Sequence, residues 1–568
     1  MKKIVNWLLL FTFTARVLAQ DLPAERVYLQ TDKQLYLAGE LVYMKVFTVT
    51  SERRPLSISR IVYVELLDEV NSLVQIKIGL THGVGESWME LPLDLPTGYY
   101  RLAAYTRFMR NEGESVFYEK NIVVVNTFKT NQIRKESIDV LPHTTEIHYT
   151  PTCSLQPDKS LYSRREKGII KLEALPEDVH TLSVSIAGKS TVMVDGANDI
   201  RQWEKQILDS KTQQGAHAGA PQQGYLPEYE GHIVTGKIVP VQNVATNFTD
   251  ETLIPVLSFP GDKIYLFEGR KDNLGNVSFY TTNTAGVKEI STTAYTLSEN
   301  IFRIDLQSPF IEQHAKKELP ALGIDTAQFE NLADRTLALQ VLYSCTKDSI
   351  QRNRPDDFRF NMKPANTYIL DEWTRFTLMN ELVIECTSEM RFRRNNQQKW
   401  ELWLAKRAGN ELNDFTWSRP LVVLDGIPII DHDMIYTYDP LLVERINIYT
   451  DVFIYGGMKF GGIVEFLTYK RNHPSLPANQ STQVISYAGT QTARRPYTPD
   501  YSNDKKRQSR LPDTRHTLLW EPVLQTRGKS TLEVPFYTSD FAGAFWVTVE
   551  GLTKEGKIIF GTARFEVR

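Results

Sequence analysis

Alternation of apolar and polar residues dominates the first hundred positions. Arg26-Val27-Tyr28-Leu29-Gln30 is followed by Leu41-Val42-Tyr43-Met44-Lys45-Val46-Phe47 and then by Ile61-Val62-Tyr63-Val64-Glu65-Leu66. The turn residues Asp94-Leu95-Pro96-Thr97-Gly98 interrupt the pattern, and Tyr99-Tyr100-Arg101-Leu102 resumes it. Short strands at intervals of roughly ten residues, separated by Gly and Pro, predict an antiparallel β-sandwich over residues 21–127.

A partial repeat extends this reading. Asp32-Lys33-Gln34-Leu35-Tyr36 and Glu40 recur at the same spacing as Asp158-Lys159-Ser160-Leu161-Tyr162 and Glu166, each ahead of an apolar strand. Residues 128–205 are therefore predicted to form a second sandwich of the same kind. Residues 206–228, with a Gln-, Gly- and Ala-rich stretch, read as a flexible linker. Strands return over 229–300, predicting a small sandwich that includes the turn Asp272-Asn273-Leu274-Gly275. Residues 301–365 form a connecting, partly helical segment, and 310–415 carry the most helical spacing in the chain. The strand runs Pro420–Leu424, Val443–Tyr449 and Gly462–Thr468 then complete an α+β domain over 366–475. Residues 476–515 read as an exposed crossing segment, and 516–568 as a C-terminal sandwich. The predicted fold class is mainly β and multidomain, with tandem immunoglobulin-like sandwiches and one α+β domain.

Composition changes this picture little. The chain has 568 residues, 42% hydrophobic and 23% charged, with a formal charge of −3. That balance makes no field for nucleic acid or anionic lipid, and no nucleic-acid partner is expected. The first residues matter more. Lys2 and Lys3 precede the apolar run Ile4–Phe13, and Val17-Leu18-Ala19 supplies the small-residue exit of a secretory signal, so residues 1–20 are expected to be a signal peptide. No later stretch approaches the roughly twenty apolar residues of a spanning helix, so no transmembrane segment is expected in the mature chain. Cys153, Cys345 and Cys386 are odd in number and far apart, and read as core residues.

Candidate chemistry is sparse. The sequence contains no Gly-x-Ser-x-Gly elbow, His-Glu-x-x-His helix, Walker loop or dinucleotide fingerprint. His143 and His148, with Glu146 between them, read as loop residues. Asp431-His432-Asp433 is the most suggestive polar cluster, because two carboxylates flanking one residue can hold a hard cation; an exposed turn is the plainer reading. The basic tracts Arg391-Phe392-Arg393-Arg394 and Lys505-Lys506-Arg507 read as solvated faces. No catalytic residue, metal ligand or cofactor is assigned, and the chain is read as non-enzymatic.

Two segments resemble known families. Glu25 through Lys33 with Asp32, Tyr36, Gly39 and Glu40, followed by Leu95-Pro96-Thr97-Gly98-Tyr99-Tyr100-Arg101-Leu102, resembles the macroglobulin-like sandwich of the α2-macroglobulin superfamily. Its marker residues here are Asp32, Tyr36, Gly39, Gly98 and Tyr100. Pro420 through Pro428 with Asp425 and Gly426, then Asp439-Pro440, Tyr455-Gly456 and Gly461-Gly462, is similar to the plug domain of TonB-dependent outer-membrane receptors, especially those of the Bacteroidota. About a hundred residues follow that segment, whereas a barrel of about 22 strands needs roughly nine to eleven residues for each strand. No Gly-Cys-x-Glu-Gln thioester motif surrounds any cysteine. The combination resembles exported Bacteroidota proteins that join such modules without a barrel. It implies a periplasmic or outer-membrane-associated docking protein for TonB-dependent receptor systems, with a protein partner. The alternative it implies is a macroglobulin-like protease-binding or inhibitor module acting without a thioester.

Overall fold

The structure, a computed structural model, describes residues 23–128, 151–188, 194, 198–213, 224–241, 248, 253–282, 284–295, 302–322, 332, 335–336, 339–341, 344, 349–351, 363–407, 415–455, 458–476 and 482–568. The expected signal peptide, Cys345, His143, His148 and Gly456 lie outside the described residues. The chain is mainly β and forms two compact units. Residues 1–229, 313–352 and 492–568 belong to the first, and residues 230–312 and 353–491 to the second. Among the described residues, no helix is long and apolar enough to cross a membrane.

The first unit holds two sandwiches built on one plan. Sandwich 1 comprises β1 (Glu25–Thr31), β2 (Leu35–Leu37), β3 (Leu41–Thr50), β4 (Ile61–Leu67), β5 (Ser72–Gly79), β6 (Val84–Glu90), β7 (Gly98–Tyr105) and β8 (Tyr118–Val125). Its sheets run β1-β3-β6 and β2-β8-β7-β4-β5, antiparallel except for the parallel pair β2 and β8. Sandwich 2 comprises β9 (Ser154–Pro157), β10 (Leu161–Tyr162), β11 (Lys167–Glu173), β12 (Val179–Gly188), β13 (Thr517–Glu521), β14 (Leu532–Tyr537), β15 (Gly543–Thr553) and β16 (Ile558–Val567). Its sheets run β9-β11-β14 and β10-β16-β15-β12-β13, again with one parallel pair, β10 and β16. Each strand of sandwich 1 therefore has a counterpart eight labels later. The difference lies between the fourth and fifth strands, which residues 68–71 join in sandwich 1 and residues 189–516 join in sandwich 2.

This connectivity corrects two expectations. Residues 516–568 do not make a separate sandwich, because β13 pairs with β12, β14 with β11, and β15 with β12 and β16. The N-terminal half of sandwich 2 has open edges that only those distant strands close, and alternation within a strand carries no information about its partner. The second sandwich also stops short of 205. Residues 200–213 form helix α1 (Ile200–Gln213), with Ile200, Trp203 and Ile207 as its buried stripe. Its start is a capping box. Asp199 Oδ1 accepts from the backbone nitrogens of Arg201 (2.8 Å) and Gln202 (3.3 Å), and Gln202 Oε1 accepts from Asp199 N at 2.7 Å.

The second unit contains a seven-stranded antiparallel sheet in the order Phe302–Leu306, Ile233–Pro240, Asn276–Tyr280, Tyr265–Lys271, Ile254–Phe259, Glu289–Tyr295 and Thr482–Ser486. The small sandwich expected over 229–300 thus takes strands from both sides of its expected limit. The segment expected to cross as an exposed loop is partly structured too. Thr482–Ser486 closes this sheet, and within the first unit Ala493–Arg495 pairs with Ser349–Gln351 while Tyr501 is buried. The same unit contains an α+β body. Its sheet runs Asn366–Ile369, Val443–Tyr449, Ile463–Thr468, Leu421–Leu424, Ile427–Ile429, and it packs with α2 (Met379–Cys386) and the short α3 (Asp433–Tyr436). The stretch 310–415 is less helical than its spacing suggested, since Met390–Arg394 and Trp400–Arg407 are paired strands. Cys153 and Cys386 are free thiols buried in the cores of sandwich 2 and the α+β body.

Strands β1 and β3 of sheet β1-β3-β6 are buried on both faces. All seven residues of β1 and the first nine of β3 are buried, polar ones included. Lys45 on β3 is 1% exposed and its Nζ has no hydrogen-bond partner. Burial, opposed by the charges of Glu550, Glu521 and Glu86, pushes its pKa down to about 7. Between about pH 7 and the ordinary lysine value near 10.4, the unfolded chain binds a proton that the folded chain does not, so stability rises with pH across that window. At and below neutral pH the buried charge costs the fold on the order of 4 kcal/mol. Lys45→Met is expected to raise the melting temperature most near pH 6–7, with the gain shrinking toward pH 10. Melting curves collected across that range check this, and a gain that does not change with pH would contradict it.

Candidate functional site

The repeated motif folds into the same brace at the start of each sandwich. In sandwich 1, Tyr36 Oη donates to Asp32 Oδ1 at 2.8 Å and lies 3.3 Å from Lys33 N, while Tyr43 N donates to Asp32 Oδ1 at 3.2 Å. Glu40 Oε2 accepts from Leu37 N at 2.9 Å, and its Oε1 pairs with Lys33 Nζ at 2.7 Å. In sandwich 2, Tyr162 Oη donates to Asp158 Oδ1 at 2.7 Å and Ile169 N donates to the same oxygen at 2.7 Å. Ser163 N donates to Glu166 Oε2 at 2.6 Å, and Lys159 pairs with Glu166. Asp, Tyr and Glu at this spacing hold the turn between the first and third strands of each sandwich. Gly39 lies in the turn before β3, and Gly98 opens β7. Tyr100 Oη donates to Pro96 O at 2.7 Å, which secures the turn ahead of β7. The five macroglobulin-like markers are thus scaffold positions dispersed through one sandwich.

The two braces differ in surroundings. Asp32 is buried, and its Oδ2 also accepts from Thr517 Oγ1 at 2.8 Å across to sandwich 2. Asp158 is exposed. Around Asp32 the sandwiches meet through polar side chains. Tyr28 Oη donates to Glu550 Oε2 at 2.6 Å, Ser185 Oγ donates to Asp32 O at 2.7 Å, and Ser183 Oγ donates to Gln30 Oε1. Burial opposes ionisation of Glu40, but the adjacent charges of Lys33 and Arg335 outweigh it and hold the carboxyl below its usual range. Beside this seam lies a cleft of about 280 Å³, lined by Asp32, Lys33, Lys120, Arg335, His516 and Glu550 among others. Strand alternation gave no warning of it, because charged residues in a strand pattern read as a solvated face.

The plug-like markers lie in the second unit and are structural there. Asp425 (φ +45°) and Gly426 (φ +81°) form a two-residue hairpin turn between Leu421–Leu424 and Ile427–Ile429, as an Asp-Gly pair with both φ positive does. Asp425 is fully buried. Its carboxylate accepts from Thr468 N (2.8 Å), Thr468 Oγ1 (2.5 Å) and His473 N (2.7 Å), and its carbonyl accepts from Gly261 N at 2.7 Å. A Cβ on Gly426 would stand 2.7 Å from Phe259 O, so only glycine lets the turn reach the neighbouring loop. Pro428 pairs with Val423 within the hairpin. Asp439 Oδ1 caps a short 3₁₀ turn by accepting from Leu441 N at 2.9 Å, with Pro440 buried behind it. Tyr455 pairs with Met458 in the hairpin Phe453–Tyr455 and Met458–Phe460, and Gly461 and Gly462 lead from it into Ile463–Thr468.

The Asp431-His432-Asp433 cluster is tied to the strand Trp400–Arg407. Asp433 Oδ1 accepts from Trp400 N at 2.7 Å and His432 Nδ1 from Leu402 N at 3.0 Å, while Asp431 Oδ1 accepts from Asp433 N at 3.2 Å. Burial, aided by the charge of Arg419, pushes His432 down to about 3 and keeps it a neutral acceptor. Among the described residues no group of three or more His, Cys, Asp or Glu is arranged to hold a metal ion.

No family model matches the chain, and no curated protein matches it. Among solved structures, the chain is similar to Salmonella α2-macroglobulin reacted with methylamine, at 9% identity over 96% of this chain and 24% of that one, with a TM-score of 0.15. It is also similar to Escherichia coli α2-macroglobulin activated by porcine elastase, at 9% identity over 96% of this chain and 44% of that one, with a TM-score of 0.24. An Escherichia coli adhesin matches 49% of this chain with 62% of its own, at 9% identity and a TM-score of 0.14. The chain thus spans less than half the length of these two α2-macroglobulins, and superpositions this loose carry no argument about activity.

The contrast between the braces can be measured. Tyr36→Phe removes a donor from a buried carboxylate and is expected to cost about 1–3 kcal/mol. Tyr162→Phe leaves a carboxylate that water reaches, and is expected to cost less than about 1 kcal/mol. Urea unfolding of the two variants checks the order, and equal losses would contradict it.

Proposed function

We propose that the chain is an exported, non-enzymatic binding protein of a bacterial cell envelope whose partner is a protein of the periplasm or outer membrane. One observation carries this reading. Asp32, Asp158, Asp425, His432 and Asp433, the polar residues that stand out in the sequence, each accept a hydrogen bond from the backbone N–H of another segment. Groups engaged in this way hold strands in register and are poorly placed to react. The signal-like N-terminus supports export, and the plug-like resemblance supports docking at the outer membrane. The buried Asp425-Gly426 turn is unavailable to a partner, so we assign docking to the hairpin Phe453–Phe460, beside which Val452 is 46% exposed and on which Ile454 is 68% exposed. Strand addition or apolar docking there suits an envelope protein. Cross-linking and affinity capture from envelope fractions are expected to recover a distinct partner with the wild-type chain and to lose it with Ile454→Asp. Recovery of nothing above background by the wild type would overturn the proposal, and equal capture by the variant would remove the hairpin from it.

The brace and strand order that open both sandwiches, together with the macroglobulin-like resemblance of residues 25–126, favour a second reading as a protease-binding module. Without a thioester it would act by noncovalent steric capture. Incubation with envelope proteases is then expected to slow cleavage of large substrates while sparing small ones. Unchanged cleavage of both, with no complex on gel filtration, would end that reading.

A further inference from the structure

Most carboxylates around the cleft of the first unit are already satisfied. Asp32 accepts from Tyr36, Tyr43 N and Thr517. Asp199 accepts from the first turn of α1 and from Arg201 Nε and Nη2 at 3.0 and 2.6 Å. Glu550 accepts from Tyr28, and burial raises its pKa. The cations are less fully engaged. Lys120 on β8 is 5% exposed and lines the cleft, and among the described residues its Nζ has neither a hydrogen bond nor an ion pair. Burial lowers its pKa, and Glu550, Asp199 and Asp32 oppose that shift through space only. Arg335 offers one nitrogen, Nη2, to Glu40, at 3.1 Å from each oxygen, and lines the same cleft. Among the described residues, the charged groups with spare hydrogen-bonding capacity at this cavity are thus donors, and the ring nitrogen Nδ1 of His516 beside them is also unpartnered. Lys120 faces the cleft without a protein acceptor, and an oxyanion that entered would give it a charge-assisted hydrogen bond.

We propose that this cleft binds a small oxyanion-bearing ligand, a carboxylate or a phosphate, held by Lys120 and Arg335. The volume of about 280 Å³ admits a compact ligand only, at the small end of ligand pockets. Trp546, Phe560, Leu35 and Ala187 supply apolar wall, and Arg201 stacks on Phe560 with its guanidinium carbon 4.1 Å from the ring centroid. This site is independent of the docking proposed above, since it lies in the first unit.

The test uses the full chain with inorganic phosphate and citrate as probes, against sodium chloride at matched ionic strength. Either anion is expected to raise the melting temperature by a few degrees with a saturable dose dependence, as a ligand that binds only the folded state does. Response to phosphate alone or to citrate alone supports the site and names its chemistry. Lys120→Met is expected to weaken apparent affinity at least about tenfold, and Arg335→Ala provides a second variant on a segment remote in sequence from β8. Lys45→Met, which removes a buried lysine that does not line the cleft, is expected to keep the wild-type response. Absence of any shift beyond the chloride control, or an unchanged response in both Lys120→Met and Arg335→Ala, would overturn the proposal.

Discussion

The first unit depends on the burial of strands β1 and β3 on both faces. One face packs into the core of sandwich 1 and the other meets sandwich 2, so every polar residue of β1 and β3 must find a partner or carry a desolvation cost. Asp32, Tyr28 and Gln30 find partners, through Thr517, Glu550 and Ser183. Lys45 does not, and its Nζ remains without an acceptor. A seam of this kind holds two sandwiches in one arrangement more than it adds to stability, because its hydrogen bonds replace those that water would make.

Strand order in the two sandwiches points to one unit used twice, with the longer connection placed where sandwich 1 has a short hairpin. Such a place tolerates insertion because the two strand ends are already adjacent, and loop-closure entropy grows slowly with length. Sandwich 2 is consequently completed by strands more than 300 residues away from its first half. That topology favours slow assembly, since β9–β12 expose open edges until the C-terminal strands arrive.

The recurrence of Asp-Lys-x-x-Tyr with its following Glu was visible as letters, and its equivalence in space is close: the same oxygen of each Asp accepts from the same two positions. Its chemistry was not visible. In one copy the carboxylate is buried beside a second domain, and in the other it faces water. The plug-like markers behave similarly, since the Asp425-Gly426 pair was visible as letters, while its enclosure by contacts from residues 259–261 and 466–473 was not.

Alternation, turn residues and spacing were enough to determine that the chain is mainly β, where the strands of sandwich 1 begin, and that its opening motif returns 126 residues later. These features are local, and local sterics and periodicity encode them directly. Tertiary structure alone decided that residues 517–567 complete sandwich 2, that helix α1 packs at 200–213, and that Lys45, Lys120 and Glu550 lie inside. Strand pairing and burial depend on which distant segment covers each face. A single strand with one polar side reads the same whether water or another sandwich lies against it.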